Sequence, residues 1–527
     1  MRLPLALAAT LLSSGLFGLA FPPHGLRPLA FVCLVPLLLA LRSAGAARAV
    51  GLAWLWAVTS AWAIAPFFAS SLASYYERPP WVGLLAGMAI FTVMASVYYM
   101  VFALIDRVLL RRVSLAGPLL TAAAWTSIEL ARGRLFTGTS FLIGNPWGLL
   151  GYTHASGSLA QVAAWTGVYG ISFAIVAVNA GLAGWIEAWR DRERSTRKAA
   201  WAALLATLPA VAFALAGAFA LRAARAPSEN VGLREVAVVQ GNVAVGRRWR
   251  SEYFGKNLDV YIGLTQRAIR EGSPSTIVWP ESAVSFFLEA QPLYREAIDR
   301  VLRAGDVELL AGGPGRDGDA QSPVFNSVFV VSPEGSITAR YDKQILLPFS
   351  EYFPFGSDDL MRRRVDGVRT YSPGAPDPAP VETRLGRAGL LICNEAMLPE
   401  VAGARVRAGA EILVSPSNDS WITGEGFAEH MLSVVGLRAI EQRRYLVRAS
   451  TSGPSAVVDP WGRVAVRTST NRQFLLLGGV RPERELTPYA RFGDAFALGC
   501  ALVAAAALVR RAAAARPRAE VGSLGAG

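Results

Sequence analysis

Cysteine and histidine are nearly absent from this chain: three of each occur in 527 residues. Three cysteines provide neither a disulfide framework nor metal-ligand spacing. Cys33 and Cys500 fall inside long apolar runs, where a small buried apolar residue is the ordinary reading. Only Cys393 falls in a polar segment. His24, His154 and His430 are too scattered for a Cys–His dyad or a zinc site, and His430 reads as a helix surface or packing residue. Charge is also scarce. Charged residues make up 17% of the chain and hydrophobic residues 53%, which is high for a soluble protein.

Long apolar runs are plentiful instead. They lie near 3–21, 27–41, 50–69, 81–105, 115–131, 159–186 and 199–222, with an eighth near 490–509. A bilayer crossing takes ~20 such residues. The second run is short. The first, with Arg2 ahead of it, resembles a secretory signal, but no clear A-x-A site follows and it reads as an uncleaved span.

The net charge of +13 does not require a nucleic-acid partner. With a cytoplasmic N-terminus, the inner segments hold Arg2, Arg42, Arg48, Arg107, Arg111, Arg112, Arg190, Arg192, Arg194, Arg197, Lys198, Arg510, Arg511, Arg516 and Arg518. The short outer loops hold only Arg27, Arg78, Arg132 and Arg134. This is the positive-inside pattern, so most of the basic excess is topology. Seven crossings then put residues 223–488 outside the cytoplasm.

The outer loop 133–158 is rich in glycine and aromatics. Phe136, Phe141, Trp147 and Tyr152 there suit either the membrane interface or simple packing. A short polar linker, 224–230, leads into a segment that alternates strand-like and helix-like stretches. Strands are predicted at 235–239, 276–280, 308–312, 326–331, 388–393, 411–415 and 455–459. Helices are predicted at 253–271, 291–304, 397–408 and 427–443. Such alternation indicates a layered α/β fold. Proline-rich 372–380 reads as a loop, and 512–527 as a disordered tail.

Three short motifs stand out in this segment: Trp279-Pro280-Glu281, Tyr341-Asp342-Lys343 and Leu391-Ile392-Cys393-Asn394-Glu395. Each closes an apolar run that reads as a buried strand, and strand ends can converge across ~50 or more residues. A carboxylate, an amine and a thiol are the base, oxyanion stabiliser and nucleophile of cysteine acyl transfer. Each also has an ordinary alternative. Glu281 fits a helix cap or a solvent position, Lys343 a solvated surface, and Cys393 an inert buried thiol. A thiol at a strand-to-helix turn feels the positive end of the helix, which favours thiolate. Burial beside Trp279 would raise the Glu281 pKa and suit it to general-base work.

The order W-P-E-S-A, Y-D-K, L-I-C-N-E over residues 233–480 resembles the nitrilase or carbon–nitrogen hydrolase superfamily. The flanking runs Val238–Asn242, Leu347–Tyr352, Ser417–Trp421 and Arg438–Glu441 fit the same pattern. Seven spans before this segment and one after it are similar to the apolipoprotein N-acyltransferases, the membrane-bound branch of that superfamily. The resemblance implies an extracytoplasmic αββα sandwich (233–480) on eight transmembrane helices, seven in 1–222 and one in 489–511. It implies Glu281 as base, Lys343 as oxyanion partner and Cys393 as nucleophile. Glu351 would be a second acidic support, and Trp249, Asn394 and Glu395 would line or brace the site. Three positions depart from the pattern: Asn394 stands for the usual Tyr, Ser350 for Gly, and Ile422 for the Phe after Trp421. These leave the reacting groups intact and bear on the pocket lining.

The implied activity moves a fatty acyl chain from a phospholipid, through a cysteine thioester, to the α-amino group of the diacylglyceryl-cysteine of an apolipoprotein. This is the last step of lipoprotein maturation. It uses no cofactor and no metal, and its partners are membrane lipids and the lipid-modified acceptor. The implied location is the bacterial inner membrane, multi-pass, with the catalytic domain periplasmic. One rival is a membrane-tethered amidase or nitrilase acting on a small soluble substrate, distinguished by whether the pocket opens to lipid or to water. Another is a transporter or scaffold with a lapsed catalytic domain, disfavoured by the three retained reactive groups and sparse intramembrane charge.

Overall fold

The computed structural model describes residues 1–109, 114–137, 139, 144–190, 196–224, 232–243, 253–319, 321–364, 370–422 and 424–515. Phe141, Trp249, the linker from residue 225, the tail from residue 516, and Arg111, Arg112, Arg192, Arg194, Arg516 and Arg518 lie outside these.

Among the described residues, six helices are long and apolar enough to cross a membrane: Leu3–Ala20, Ala46–Ile64, Pro80–Leu109, Val168–Arg190, Thr196–Ala223 and Ala495–Ala514. The run at 27–41 is instead split into a 3-10 turn, Arg27–Phe31, and a nine-residue helix, Val35–Ser43. Pro28 and Pro36 each sit in the first turn of their segment, where a missing N–H is harmless but an incoming helix cannot continue. Asn179 repairs the break: its Nδ2 donates to Ala30 O and its Oδ1 accepts from Leu34 N, both at 2.8 Å. The run at 115–131 forms helix Gly117–Arg134, whose last turns carry Glu129, Arg132 and Arg134. The final helix reaches Ala515, into the segment expected to be tail.

The described residues of 234–480 fold into two six-stranded sheets. In chain order the strands are β1 (Arg234–Gln240), β2 (Thr276–Val278), β3 (Glu308–Arg316), β4 (Val324–Val331), β5 (Ile337–Asp342), β6 (Val381–Thr383), β7 (Gly386–Leu390), β8 (Ile412–Ser417), β9 (Leu446–Ser450), β10 (Ala456–Val458), β11 (Val464–Arg467) and β12 (Phe474–Val480). The sheet orders are β12-β1-β2-β3-β4-β5 and β11-β10-β9-β8-β7-β6. Strand alternation builds the layers. Val236, Val238, Val278 and Leu310 face the second sheet and meet Leu390, Ile412, Val414 and Val447 in a shared core. Their neighbours Ala237, Val239, Ile277 and Leu309 face the helices Phe254–Glu271 and Pro292–Gly305. Helices Pro399–Arg407 and Glu425–Gln442 cover the other sheet through Val401, Val406, Leu432 and Val435. The result is an αββα sandwich.

Helix Glu425–Gln442 is buried on two sides. Leu432, Val435 and Ala439 pack on its own sheet, while Val434, Leu437 and Ile440 join the core of the helical body. Arg438 and Glu441 pair at 2.8 Å inside this joint, and Glu441 accepts from Val168 N, the start of an apolar helix, at 3.0 Å. Trp147 and Tyr152 of the 133–158 segment pack here too: both rings touch His430, Trp147 at 4.0 Å between centroids. Those two aromatics and His430 are packing residues, whereas Phe136 is exposed.

Candidate active site

Glu281 follows β2 and Pro280. Its turn lies so close to β3 that a Cβ on Gly312 would come within 2.5 Å of Pro280 O and 2.7 Å of Glu281 Cα, so the neighbouring strand needs glycine there. The Trp279 ring points the other way, packing on Tyr261 and donating to Thr265 at 3.0 Å. The Glu281 carboxylate is buried, accepting from Asn326 Nδ2 and from the Asn418 backbone N–H, each at 2.7 Å. Burial raises its pKa; Lys343 opposes this, Glu351 reinforces it, and the net shift is upward. The rise expected from burial beside Trp279 therefore has a different source, since the indole belongs to the outer layer.

Lys343 is the first residue after β5 and is 1% exposed, not a solvated surface lysine. Its Nζ lies 2.7 Å from Glu351 Oε2 and 3.8 Å from Glu281 Oε1. Burial disfavours its charge, but Glu351, Glu281 and Cys393 outweigh burial and raise its pKa, so it stays an ammonium. Glu351 also accepts from Asn326 Nδ2 at 2.6 Å and from Leu347 N at 2.6 Å. One amide, Asn326, thus bridges both carboxylates.

Cys393 begins a short 3-10 turn, Cys393–Met397, after β7, with φ +54°, a strained value for a non-glycine residue. Glu395 holds this turn. It accepts from Ile392 N at 2.8 Å, Gln344 N at 2.8 Å, Ile345 N at 3.1 Å and Tyr341 OH at 2.8 Å, tying the turn to the chain beside Lys343. Asn394 Nδ2 donates to Ile345 O at 3.2 Å. The expected bias toward thiolate is overturned. Burial pushes the Cys393 thiol up, Glu281 adds to this, Lys343 opposes it, and Asp419 and Glu351 push up further. A five-residue turn cannot match that with its dipole. The resting group is a thiol, which needs a base.

Cys393 is only partly buried because it opens on a cavity of about 220 Å³. Phe68, Leu72, Ile90, Phe91 and Met94, from the helical body, line one part of this cavity. Trp421, Ile422, Phe427 and Met431, from the sandwich, line another, and Asn394, next to the thiol, and Ser350 also line it. The lining is overwhelmingly apolar. Ser350 Oγ is 3.2 Å from Tyr75 OH, and Tyr76 OH donates to Phe349 O, fastening the Glu351 loop to the helical body.

The model described as Apolipoprotein N-acyltransferase N-terminal domain matches residues 13–181, and that described as Carbon-nitrogen hydrolase matches 235–484. An apolipoprotein N-acyltransferase of Geobacter metallireducens is 32% identical over 504 residues, covering 94% of this chain and 93% of that protein. The chain belongs to the apolipoprotein N-acyltransferase family. A second member, from Azotobacter vinelandii, is 34% identical, covering 93% of this chain and 91% of its own. Among solved structures, the C. elegans NitFhit protein aligns with 47% of this chain and 61% of its own, at 23% identity and TM-score 0.39.

Within the family frame, the structure brings Glu281, Lys343, Glu351, Cys393, Asn394 and Glu395 to one place. Sequence reasoning missed Asn326, the amide that bridges the two carboxylates. Its signal was a lone amide, followed by Ser327, near the start of the mostly apolar strand β4. It also missed the Asn418 N–H, since a backbone donor leaves no mark in residue type.

Proposed function

We propose that this protein transfers a fatty acyl chain from a phospholipid to the α-amino group of the lipid-modified N-terminal cysteine of an apolipoprotein. The observation that carries this reading is the continuous apolar cavity running from the helical body to the Cys393 thiol. A tethered amidase for small soluble amides has no use for a pocket walled by Phe68, Leu72, Ile90 and Met94.

In the first half-reaction, Glu281 takes the thiol proton as Cys393 sulfur attacks the phospholipid ester carbonyl. Each Glu281 oxygen already accepts one bond from the protein and keeps a lone pair for that proton. Lys343 keeps its ammonium and donates to the tetrahedral oxyanion with the N–H groups left beyond Glu351. The lyso-lipid leaves as an alcohol, taking the proton from Glu281, and the thioester remains. In the second half-reaction the acceptor amine attacks, Glu281 takes its proton, and the thiol returns. An apolar cavity that excludes water favours attack by amine over hydrolysis. None of these steps calls for a metal or an organic cofactor.

The charge asymmetry supports eight crossings, seven in 1–222 and one in 489–511, with the 233–480 domain on the periplasmic face of the inner membrane. Mature lipoproteins would reach the site there. Intact mass of the purified protein after incubation with phospholipid tests the reading. An acyl adduct on Cys393 is expected. No adduct, with hydrolysis of small amides instead, would favour the tethered amidase.

A further inference from the structure

Behind Glu281 lies a second buried ion pair that the mechanism above does not use. Arg448 of β9 is fully buried, and its Nη2 donates to Asp419 Oδ2 at 2.6 Å. Asp419 also accepts from Ser450 Oγ at 2.6 Å and Ser417 Oγ at 2.7 Å. Its own N–H donates to Thr451 Oγ1 at 3.0 Å, and that hydroxyl donates to Asn418 Oδ1 at 3.1 Å. Every one of these bonds pins the turn that follows β8. A Cβ on Gly453 would sit 2.5 Å from Asp419 Oδ2, so the opposite loop also leaves space for this arrangement only as glycine.

The turn itself does two things. Its Asn418 N–H donates to Glu281 Oε2 at 2.7 Å, and two residues past Asp419 its chain carries Trp421 and Ile422 into the cavity wall. A backbone donor is only as well placed as the turn that presents it, and misplacement of about 1 Å near a reacting group costs roughly 10²-fold. We infer that Asp419 and Arg448 are positioning residues for the proposed reaction: they lock the Ser417–Ser420 turn so that the Asn418 N–H orients the Glu281 carboxylate toward the Cys393 thiol.

This inference rests on the reading of Glu281 as the base. The charged groups around Glu281 are Lys343 at the end of β5, Glu351 in the following loop, Cys393 after β7 and, one turn away, Asp419 after β8. The Asn418 N–H favours the ionised carboxylate, so losing it raises the pH at which Glu281 becomes a base. Removing the Asp419 charge alone would act in the opposite sense on the thiol, which Asp419 pushes up. The two effects therefore move the pH profile in opposite directions.

The test is the single-turnover rate of Cys393 acylation by phospholipid against pH, in the full-length protein. Asp419→Asn and Arg448→Met should each slow acylation by about 10²-fold, and Arg448→Met, which keeps the Asp419 charge, should move the acid limb to higher pH. Among the described residues Arg448 Nε and Nη1 have no hydrogen-bond partner, so a single ammonium serves nearly as well. Arg448→Lys should accordingly stay close to the unaltered rate. Because either single variant leaves a buried charge, an Asp419→Leu/Arg448→Met double variant separates folding from positioning. It should regain the thermal midpoint yet remain slow. An acid limb of Arg448→Met that stays in place or moves to lower pH, or a double variant that acylates at the unaltered rate, would overturn the inference. Absence of any adduct on the unaltered protein would instead refute acyl transfer itself.

Discussion

Lys343 Nζ lies 2.7 Å from Glu351 Oε2, and both side chains are withdrawn from solvent. The pair holds a permanent cation beside the thiol. Removing one partner of a buried pair strands the other charge, at a cost of about 3–5 kcal/mol. Glu351→Ala should therefore lower the thermal midpoint in detergent clearly, even though Glu281 stands 3.8 Å from the same ammonium. Lys343→Ala should slow thioester formation by ~10²–10³, the usual loss of an oxyanion donor. An unchanged acylation rate in Lys343→Ala would remove it from the chemistry.

The pH dependence follows from Glu281. Its pKa is raised from 4.5, chiefly by burial. As the proposed base it works only when ionised, so acylation should decline as pH falls through the raised value. Stability runs the other way. The folded state binds the Glu281 proton more tightly than the unfolded chain does, so this group's contribution is full below 4.5 and is lost as pH rises to the folded value. Glu281→Gln should then abolish acylation while leaving the neutral-pH thermal midpoint equal or higher. A large destabilisation at neutral pH would contradict this sign.

Asn394 borders the cavity and is held through Nδ2 to Ile345 O. A tyrosine there would bring a bulkier, mostly apolar wall. Asn394→Tyr should change the ranking of phospholipid donors while the thioester still forms. Adduct formation across donors of different headgroup and chain length measures it. A uniform rate change with unchanged ranking would mean that residue 394 only braces the nucleophile turn.

Leu72 lines the cavity from the helical body. Leu72→Trp should fill the membrane side and penalise long acyl chains. With each buried methylene worth about 0.8 kcal/mol, excluding two of them costs the long-chain donor about tenfold relative to a short one. Equal losses for long and short donors would place the acyl chain elsewhere.

Tags at residue 230 and at the C-terminus test topology. The charge pattern predicts the first outside the cytoplasm and the second inside. A cytoplasmic tag at 230 would overturn the proposed acceptor, whose N-terminus lies on the outer face.

Much of the sandwich was legible. Strands β1, β2, β3, β4, β7, β8 and β10 and the four helices of the sandwich fall where apolar periodicity predicts them. β5, β6, β9, β11 and β12 were not foreseen. β5 is half-exposed along most of its length, β6 is only three residues long, β9 is buried but interrupted by Arg448 and Ser450, β11 is largely exposed, and β12 carries Gly478 and Gly479, so none reads as a clean apolar run. The break in the short second run was not legible either, because hydropathy does not register that Pro28 and Pro36 split one run into two helical pieces.

Residue type and local context marked the proposed reacting groups: a carboxylate and a thiol that follow the buried strands β2 and β7, and an amine that follows the half-exposed β5. Those are local properties, set by neighbours in the chain. Whether the thiol is ionised, which amide bridges the carboxylates, and where the apolar cavity runs were decided only by tertiary structure. Asn326 is 45 residues from Glu281, and Asn418 is 137. The protonation of Cys393 depends on burial and on carboxylates from other strand ends, and the cavity exists only where the helical body meets the sandwich. Fields and cavities sum over groups close in space, and the order of residues along a chain does not record that closeness.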